Sequence, residues 1–382
     1  MIKIILKYFI KINKLLAYID KKDPVSWLKI NNLTITIKGK MKKLLLTTAL
    51  IGSTLVAGNA IAQTTVNGNL NVSFKAMSVE PATSRGTSGR GFGNEQQINI
   101  QNKGKLNNGL DYAAGFSIEN DAAQTGTLFN ENVYIDFISG NTTVTIGQDH
   151  IQNIDRSTST LIGGMEAGDL ALGNSTAAGT SQSIFLTAPG ADPAQAYGVG
   201  IIQTIPSFGK LSALYVPSNS AQGNTTGGDK TFNEGDVAAY EIGFNGDLGV
   251  KGLNVNLFRN QASKFQTEAE ARKGDNFGLS YNFGTVTVGY DRKKDHSVTG
   301  TADTVQDGYG VAFAATPTLS IAANYTKADK DGTAVDAKAK TVTVGYNLGA
   351  ISLFATYSQL ENITGTNGAD RDVVYLAART SF

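Results

Sequence analysis

From about residue 63 to the C-terminus, apolar side chains recur at every second position in one short segment after another. Val66, Leu70, Val72 and Phe74 alternate with Asn67, Asn69, Asn71, Ser73 and Lys75. Leu110, Tyr112, Ala114, Phe116 and Ile118 alternate with Asp111, Ala113, Gly115, Ser117 and Glu119. The same spacing runs through Phe277–Phe283, Val286–Tyr290, Tyr309–Ala315, Leu319–Tyr325, Val342–Tyr346, Ile351–Tyr357 and Val374–Phe382. A period of two places alternate side chains on opposite faces of a strand, so the pattern predicts β-strands with one apolar and one small or polar face. A soluble sandwich would bury its apolar face against a second sheet. Strands of about ten residues with aromatics near their ends fit instead the lipid-facing band and aromatic girdles of a transmembrane barrel.

The connections predict how many strands there are and which way they run. Tight turns fall at 106–109, 140–141, 206–209, 246–249, 283–284, 316–318 and 347–349. Longer polar stretches fall at about 78–94, 121–130, 150–194, 218–235, 262–273, 296–305, 328–337 and 362–369. Seven short and eight long connections alternate, with both termini on the short side, which predicts a sixteen-stranded antiparallel barrel. The count holds if Ser183–Ala188 is loop; if that segment is a strand, eighteen become possible. Short turns of such barrels face the periplasm, and sixteen strands leave an aqueous lumen rather than a packed core.

Composition supports an all-β membrane protein. Gly makes up 43 of 382 residues and charged residues only 17%, against roughly 7% and 25% in ordinary soluble domains. There is no Cys and there are only two His, His150 and His296, so thiol and zinc–thiolate chemistry is excluded and imidazole chemistry has few candidates. Neither His stands beside a nucleophile motif, which argues against an enzyme. Gly91-Phe92-Gly93 lacks the strand-to-helix context of a nucleotide-binding loop. No cofactor is implied.

Charge divides the chain. Residues 1–62 carry 11 Lys against Asp20 and Asp23, leaving 22 basic and 30 acidic residues downstream, a net −8. An acidic body lacks the basic stripe that phosphate backbones require, so nucleic acid is not an expected partner. Residues 41–62 read as a secretory signal: Met41, Lys42 and Lys43, an apolar run from Leu44 to Ala57, and a small-x-small cleavage site at Ala60-Ile61-Ala62 before Gln63. Residues 1–40 are then best read as a non-native upstream extension, from a start assigned ahead of the true Met41, with an overlong basic leader or a membrane-surface helix carrying Lys3, Lys7, Lys11 and Lys14 as the alternatives. The expected organisation is 1–40 extension, 41–62 signal peptide and 63–382 barrel.

With its signal, repeated hairpins, long third loop, final Phe382, and the strand–turn–strand Ile202-Gln203-Thr204-Ile205-Pro206-Ser207-Phe208-Gly209-Lys210-Leu211 leading to Tyr215, the chain resembles the Gram-negative general-diffusion porins. That resemblance implies a homotrimer in outer-membrane lipid and passive diffusion of small hydrophilic solutes and ions. It implies a third loop folded into the lumen, and a terminal Phe382 read by barrel-assembly machinery. Loop 150–194 bears Asp155, Glu166, Asp169 and Asp192 against Arg156 alone. By the resemblance, Asp155, Glu166 and Asp169 form the acidic side of a constriction, and Lys75, Arg371 and Arg379, on lumen parity, form its basic wall. Opposed charges across a constriction orient polar solutes, and the acidic surplus predicts a mild cation preference. A phosphate-selective pore would need lysines in 150–194, which has none. A sugar pore would need a lumen aromatic ladder, for which Phe258, Phe354 and Tyr375 are too scattered. A non-pore surface adhesin is the remaining alternative, but it leaves the regular turn–loop alternation unexplained.

Overall fold

A computed structural model describes residues 63–80, 89–121, 129–148, 184–186, 197–217, 238–263, 271–297 and 302–382. The signal segment, including Ala60 and Ala62, and the proposed constriction acids Asp155, Glu166 and Asp169 lie outside these residues. The described residues form sixteen strands: β1 (Gln63–Glu80), β2 (Gly89–Lys105), β3 (Asp111–Asp121), β4 (Phe129–Ser139), β5 (Thr142–Gly147), β6 (Gly198–Ile205), β7 (Gly209–Val216), β8 (Ala239–Gly246), β9 (Leu253–Ala262), β10 (Lys273–Asn282), β11 (Val286–His296), β12 (Thr304–Ala314), β13 (Leu319–Lys330), β14 (Ala337–Asn347), β15 (Ile351–Glu361) and β16 (Asp370–Ser381). Each pairs antiparallel with its sequence neighbours, and β1 pairs with β16, so the sheet closes into a barrel. Closure is what lets a sheet cross hydrocarbon, because every edge that would leave bare N–H and C=O groups, at several kcal/mol each, is paired.

Alternation decides which face each side chain takes. Val66 is 63% exposed on the outside, and Val72, Val311, Phe313, Val342, Leu353 and Leu376 are likewise exposed there, as lipid-facing residues must be. Their neighbours Asn71, Ala312, Thr341, Thr343 and Thr356 point inward. Aromatic rings pair on the outer face: Phe277 with Tyr290 (6.1 Å) and Tyr290 with Tyr309 (5.2 Å) at mid-strand, Phe208 with Phe244 (5.6 Å) and Tyr281 with Phe283 (4.6 Å) by the short connections. The pairs by the short connections stand where an interfacial girdle would.

The short turns reuse one local device. The side-chain oxygens of Asp247, Asn282 and Asn347 accept hydrogen bonds from the N–H groups of Gly249, Gly284 and Gly349, at 2.9, 2.6 and 2.7 Å. An Asn or Asp that bonds its own backbone two residues on turns the chain without a partner strand. Gly140 carries φ 56 in the two-residue turn between β4 and β5, a conformation that costs other residues about 1–2 kcal/mol.

The strands run further outward than the polarity of their ends suggests. β1 extends to Glu80 and β2 starts at Gly89, so Arg90 lies on a strand rather than in the first outer loop. Likewise His296, at the start of the polar stretch 296–305, still belongs to β11, which it ends after the charged run Arg292, Lys293, Lys294 and Asp295. Their charges do not end the strand because it rises above the lipid there and cross-strand partners meet them. Arg292 lies 3.4 Å from Asp307, and His296 bridges Asp303 (2.9 Å) and Asp275 (3.4 Å). Arg259, on lipid parity, faces Asp275 at 3.6 Å.

Candidate functional site

The candidate site is the barrel interior. Its wall across β1–β3 is a mesh of amides and hydroxyls: Asn99 to Asn67 (3.0 Å), Asn69 to Gln97 (3.1 Å), Ser117 to Asn99 (2.6 Å) and Gln97 to Glu119 (3.1 Å). Thr341–Ser358 (2.7 Å) and Thr343–Thr356 (3.0 Å) repeat the pattern on β14–β15. Such groups exchange hydrogen bonds with water and with polar solutes at little net cost. The interior is lined for an aqueous phase.

Lys75, Arg371 and Arg379 all fall on the inward parity of the β1–β16 seam. Lys75 pairs in register with Tyr375, Arg371 with Val79 and Arg379 with Asn71. Eight residues of strand separate the two arginines, roughly 27 Å at 3.4 Å per residue. The three basic residues expected to form a wall therefore stand in a column along the seam rather than in one cluster. Eight strands from β16 around the closed ring, β8 carries the buried Glu241, and on the inner face of β11 Asp291 accepts from Asn276 at 2.8 Å.

Into this wall fits a short piece of the connection between β5 and β6. Residues 184–186 are not a strand, which leaves the count at sixteen among the described residues. Ile184 and Phe185, 7% and 6% exposed, pack with Ala328, Ala337, Ala339, Leu360, Ile363, Ala369 and Val373, and Met77 borders them. Ala328, Ala337, Ala339, Leu360, Val373 and Met77 share the inward parity of β13–β16 and β1, so residues 184–186 of the third loop dock on the inner face of the barrel. Polar contacts fix the backbone. Ile184 N–H donates to Ile363 O (2.9 Å) and Leu186 N–H to Gln306 Oε1 (2.7 Å), while Leu186 O accepts from Gln306 Nε2 (3.3 Å) and from the fully buried Lys293 Nζ (3.4 Å).

Lys293 and Gln306 were not among the residues singled out by sequence. Their signal was parity, since Lys293 alternates with Val288 and Tyr290 and so points inward. Tyr134, buried on the inner face, is a lumen aromatic that sequence reading also missed; its hydroxyl accepts from Gln101.

Phe382 closes the seam. Its N–H and O bond Gly68 O and N at 3.0 and 2.9 Å, and its ring covers Gly68, where an added Cβ would lie 2.6 Å from the ring and 2.5 Å from Gln97 O.

The family model for the Gram-negative porin matches residues 47–378, nearly the whole chain. The chain belongs to the Gram-negative porins. Among solved structures, an anion-selective porin from Comamonas acidovorans aligns over 84% of this chain and 100% of its own, at 16% identity and a TM-score of 0.63. A triple mutant of the Rhodopseudomonas blastica porin aligns over the same shares at 13% identity and a TM-score of 0.55. At such identities the likeness is one of fold. No curated protein matches the chain. As a porin it is a channel-forming barrel of the Gram-negative outer membrane, with polar solutes passing through its interior and lipid around it.

Proposed function

We propose that this porin passes small hydrophilic solutes and ions by passive diffusion, with a mild preference for cations. What supports the reading is the closed sixteen-stranded barrel, whose inner face carries a hydrogen-bonding mesh on β1–β3 and β14–β15 and is met by the third loop at Ile184–Leu186. The cation preference rests on the net −8 of residues 63–382 and on Asp155, Glu166 and Asp169 in the third loop, acting across the lumen from Lys75, Arg371 and Arg379. In the same reading residues 1–40 precede a signal peptide at 41–62, cleaved between Ala62 and Gln63. Phe382 marks the chain for assembly, and three copies associate in the membrane.

Folded 63–382 in a planar bilayer with a potassium chloride gradient tests the selectivity. A reversal potential of the sign that favours potassium supports it. One favouring chloride overturns the constriction role of Asp155, Glu166 and Asp169. A detergent-corrected monomer mass for unboiled protein overturns the trimer.

A further inference from the structure

Arg379 is held in an unusual way. It lies on the inward face of β16 near its periplasmic end, opposite Asn71 on one side and Ser352 on the other. Its guanidinium carbon stands 5.3 Å from the centroid of the Phe354 ring, which points inward between the lipid-facing Leu353 and Ala355. Phe354 in turn leans over Gly345 of β14, where a Cβ would meet the ring at 3.5 Å. Three neighbouring strands thus build one shelf of glycine, ring and guanidinium.

Elsewhere on the barrel basic side chains meet carboxylates, as Lys105 does Asp111 (2.6 Å) and Lys340 does Glu361 (2.7 Å). Among the described residues no carboxylate pairs with Arg379, and it is exposed to the lumen. Stacking occupies a face of the guanidinium plane and leaves its N–H edge free. That edge is a planar fork of donors matched to the two oxygens of a carboxylate. The ring restricts the long Arg side chain, so less rotamer freedom is lost when a solute arrives. An unpaired lysine would be a point charge without a preferred orientation.

We propose that the Phe354–Arg379 shelf is a binding station for small organic carboxylates on the periplasmic side of the lumen. This rests on the diffusion-pore reading and adds a solute class to it. The acidic third loop sets the overall ion preference, while the shelf briefly holds carboxylates that have entered. Transit requires binding strong enough to favour entry and weak enough to allow exit, so half-saturation in the millimolar range is expected.

The probe is benzoate, replacing chloride at constant ionic strength, with single-channel current recorded for the folded protein. In wild type the current should fall with a half-effect concentration that rises roughly three- to tenfold in Arg379→Ala, as loss of a charge-assisted fork predicts. Arg379→Lys, which keeps the charge but not the fork, and Phe354→Leu, which keeps bulk but not the aromatic face, should each recover only part of the wild-type value. Lys340→Ala, on the outward face of β14 and paired with Glu361, should leave the half-effect concentration where it was. Equal values in wild type and Arg379→Ala, full recovery by Arg379→Lys, or an equal shift in Lys340→Ala would overturn the shelf. If wild type gives no channel steps, the pore reading fails instead. Saturation-transfer NMR of benzoate with the same folded protein then decides the shelf alone: signal lost in Arg379→Ala supports it, and unchanged signal overturns it.

Discussion

Phe185 is the largest buried side chain among the described residues of the third loop, and replacing it with Ala isolates what its docking contributes to the channel. The ring is 6% exposed among Ala328, Ala337, Ala339, Leu360 and Val373. Truncating a buried Phe costs about 3–5 kcal/mol. At 1.4 kcal/mol per tenfold, that lowers the docked-to-released ratio of residues 184–186 roughly a hundredfold or more. Among the described residues, what remains is Ile184 and the polar contacts of Ile184 N–H, Leu186 N–H and Leu186 O, each a net ~0.5–1.5 kcal/mol. The barrel ladder includes none of these residues, so the sixteen strands should persist. The assay is single-channel recording beside heat-modifiable migration on a gel. Phe185→Ala should migrate as a folded barrel and show frequent current fluctuations between sublevels that wild type visits rarely. Gln306→Ala, which removes the two contacts at 2.7 and 3.3 Å, should do the same more weakly. A folded Phe185→Ala channel with wild-type step size and noise would refute the claim that this docking holds the loop at the pore.

Gly68→Val puts a side chain where Gln97 O and the Phe382 ring already stand, so the seam should close poorly and the folded fraction after refolding, read by gel shift, should fall well below wild type. Val311→Lys, on the lipid face, should cost about 2–4 kcal/mol near the bilayer midplane, whereas Thr343→Lys in the lumen should cost much less; equal urea midpoints would contradict the assigned parity. Burial pushes the Asp303 carboxyl up, but the Ser297 N–H, His296 and Lys294 together outweigh it and hold the carboxyl below its ordinary value. Its folded value being depressed, the stabilisation is present above the unfolded carboxylate range of about 4 and is lost as pH falls through the folded value. Amide exchange at Ser297 should therefore speed up only in acid below that range, and in Asp303→Asn it should lose this pH dependence.

The strand count and the face of each residue were legible because both are periodic. A one-residue error would have turned Val66, Leu70 and Val72 inward, and the Asn and Gly turn residues fix the register locally. The docking of the third loop was not legible in that way. Ile184-Phe185-Leu186 is an apolar triplet with no period, and its seat is assembled from the four consecutive strands β13–β16, joined by β1 through the closed ring. A trace of it was present: Leu360, Val373 and Met77 are large apolar residues close together on a face that is mostly small or polar. Lys293 was hidden for a different reason. A run of charge from Arg292 to Asp295 reads as loop when hydropathy alone ends a strand, yet cross-strand partners such as Asp307 and Asp303 carry the ladder past the lipid edge. Lys75, Arg371 and Arg379 were placed on the correct face by parity, but the register needed to see them as a column came from the pairing of β1 with β16.

The central claim is a water-filled channel through a closed barrel, and step conductance of folded 63–382 in a planar bilayer tests it most directly. The account predicts large, long-lived current steps whose size grows in proportion to salt concentration, as an aqueous lumen requires. Protein that runs as a folded barrel on an unheated gel yet gives no steps at any salt concentration would contradict it.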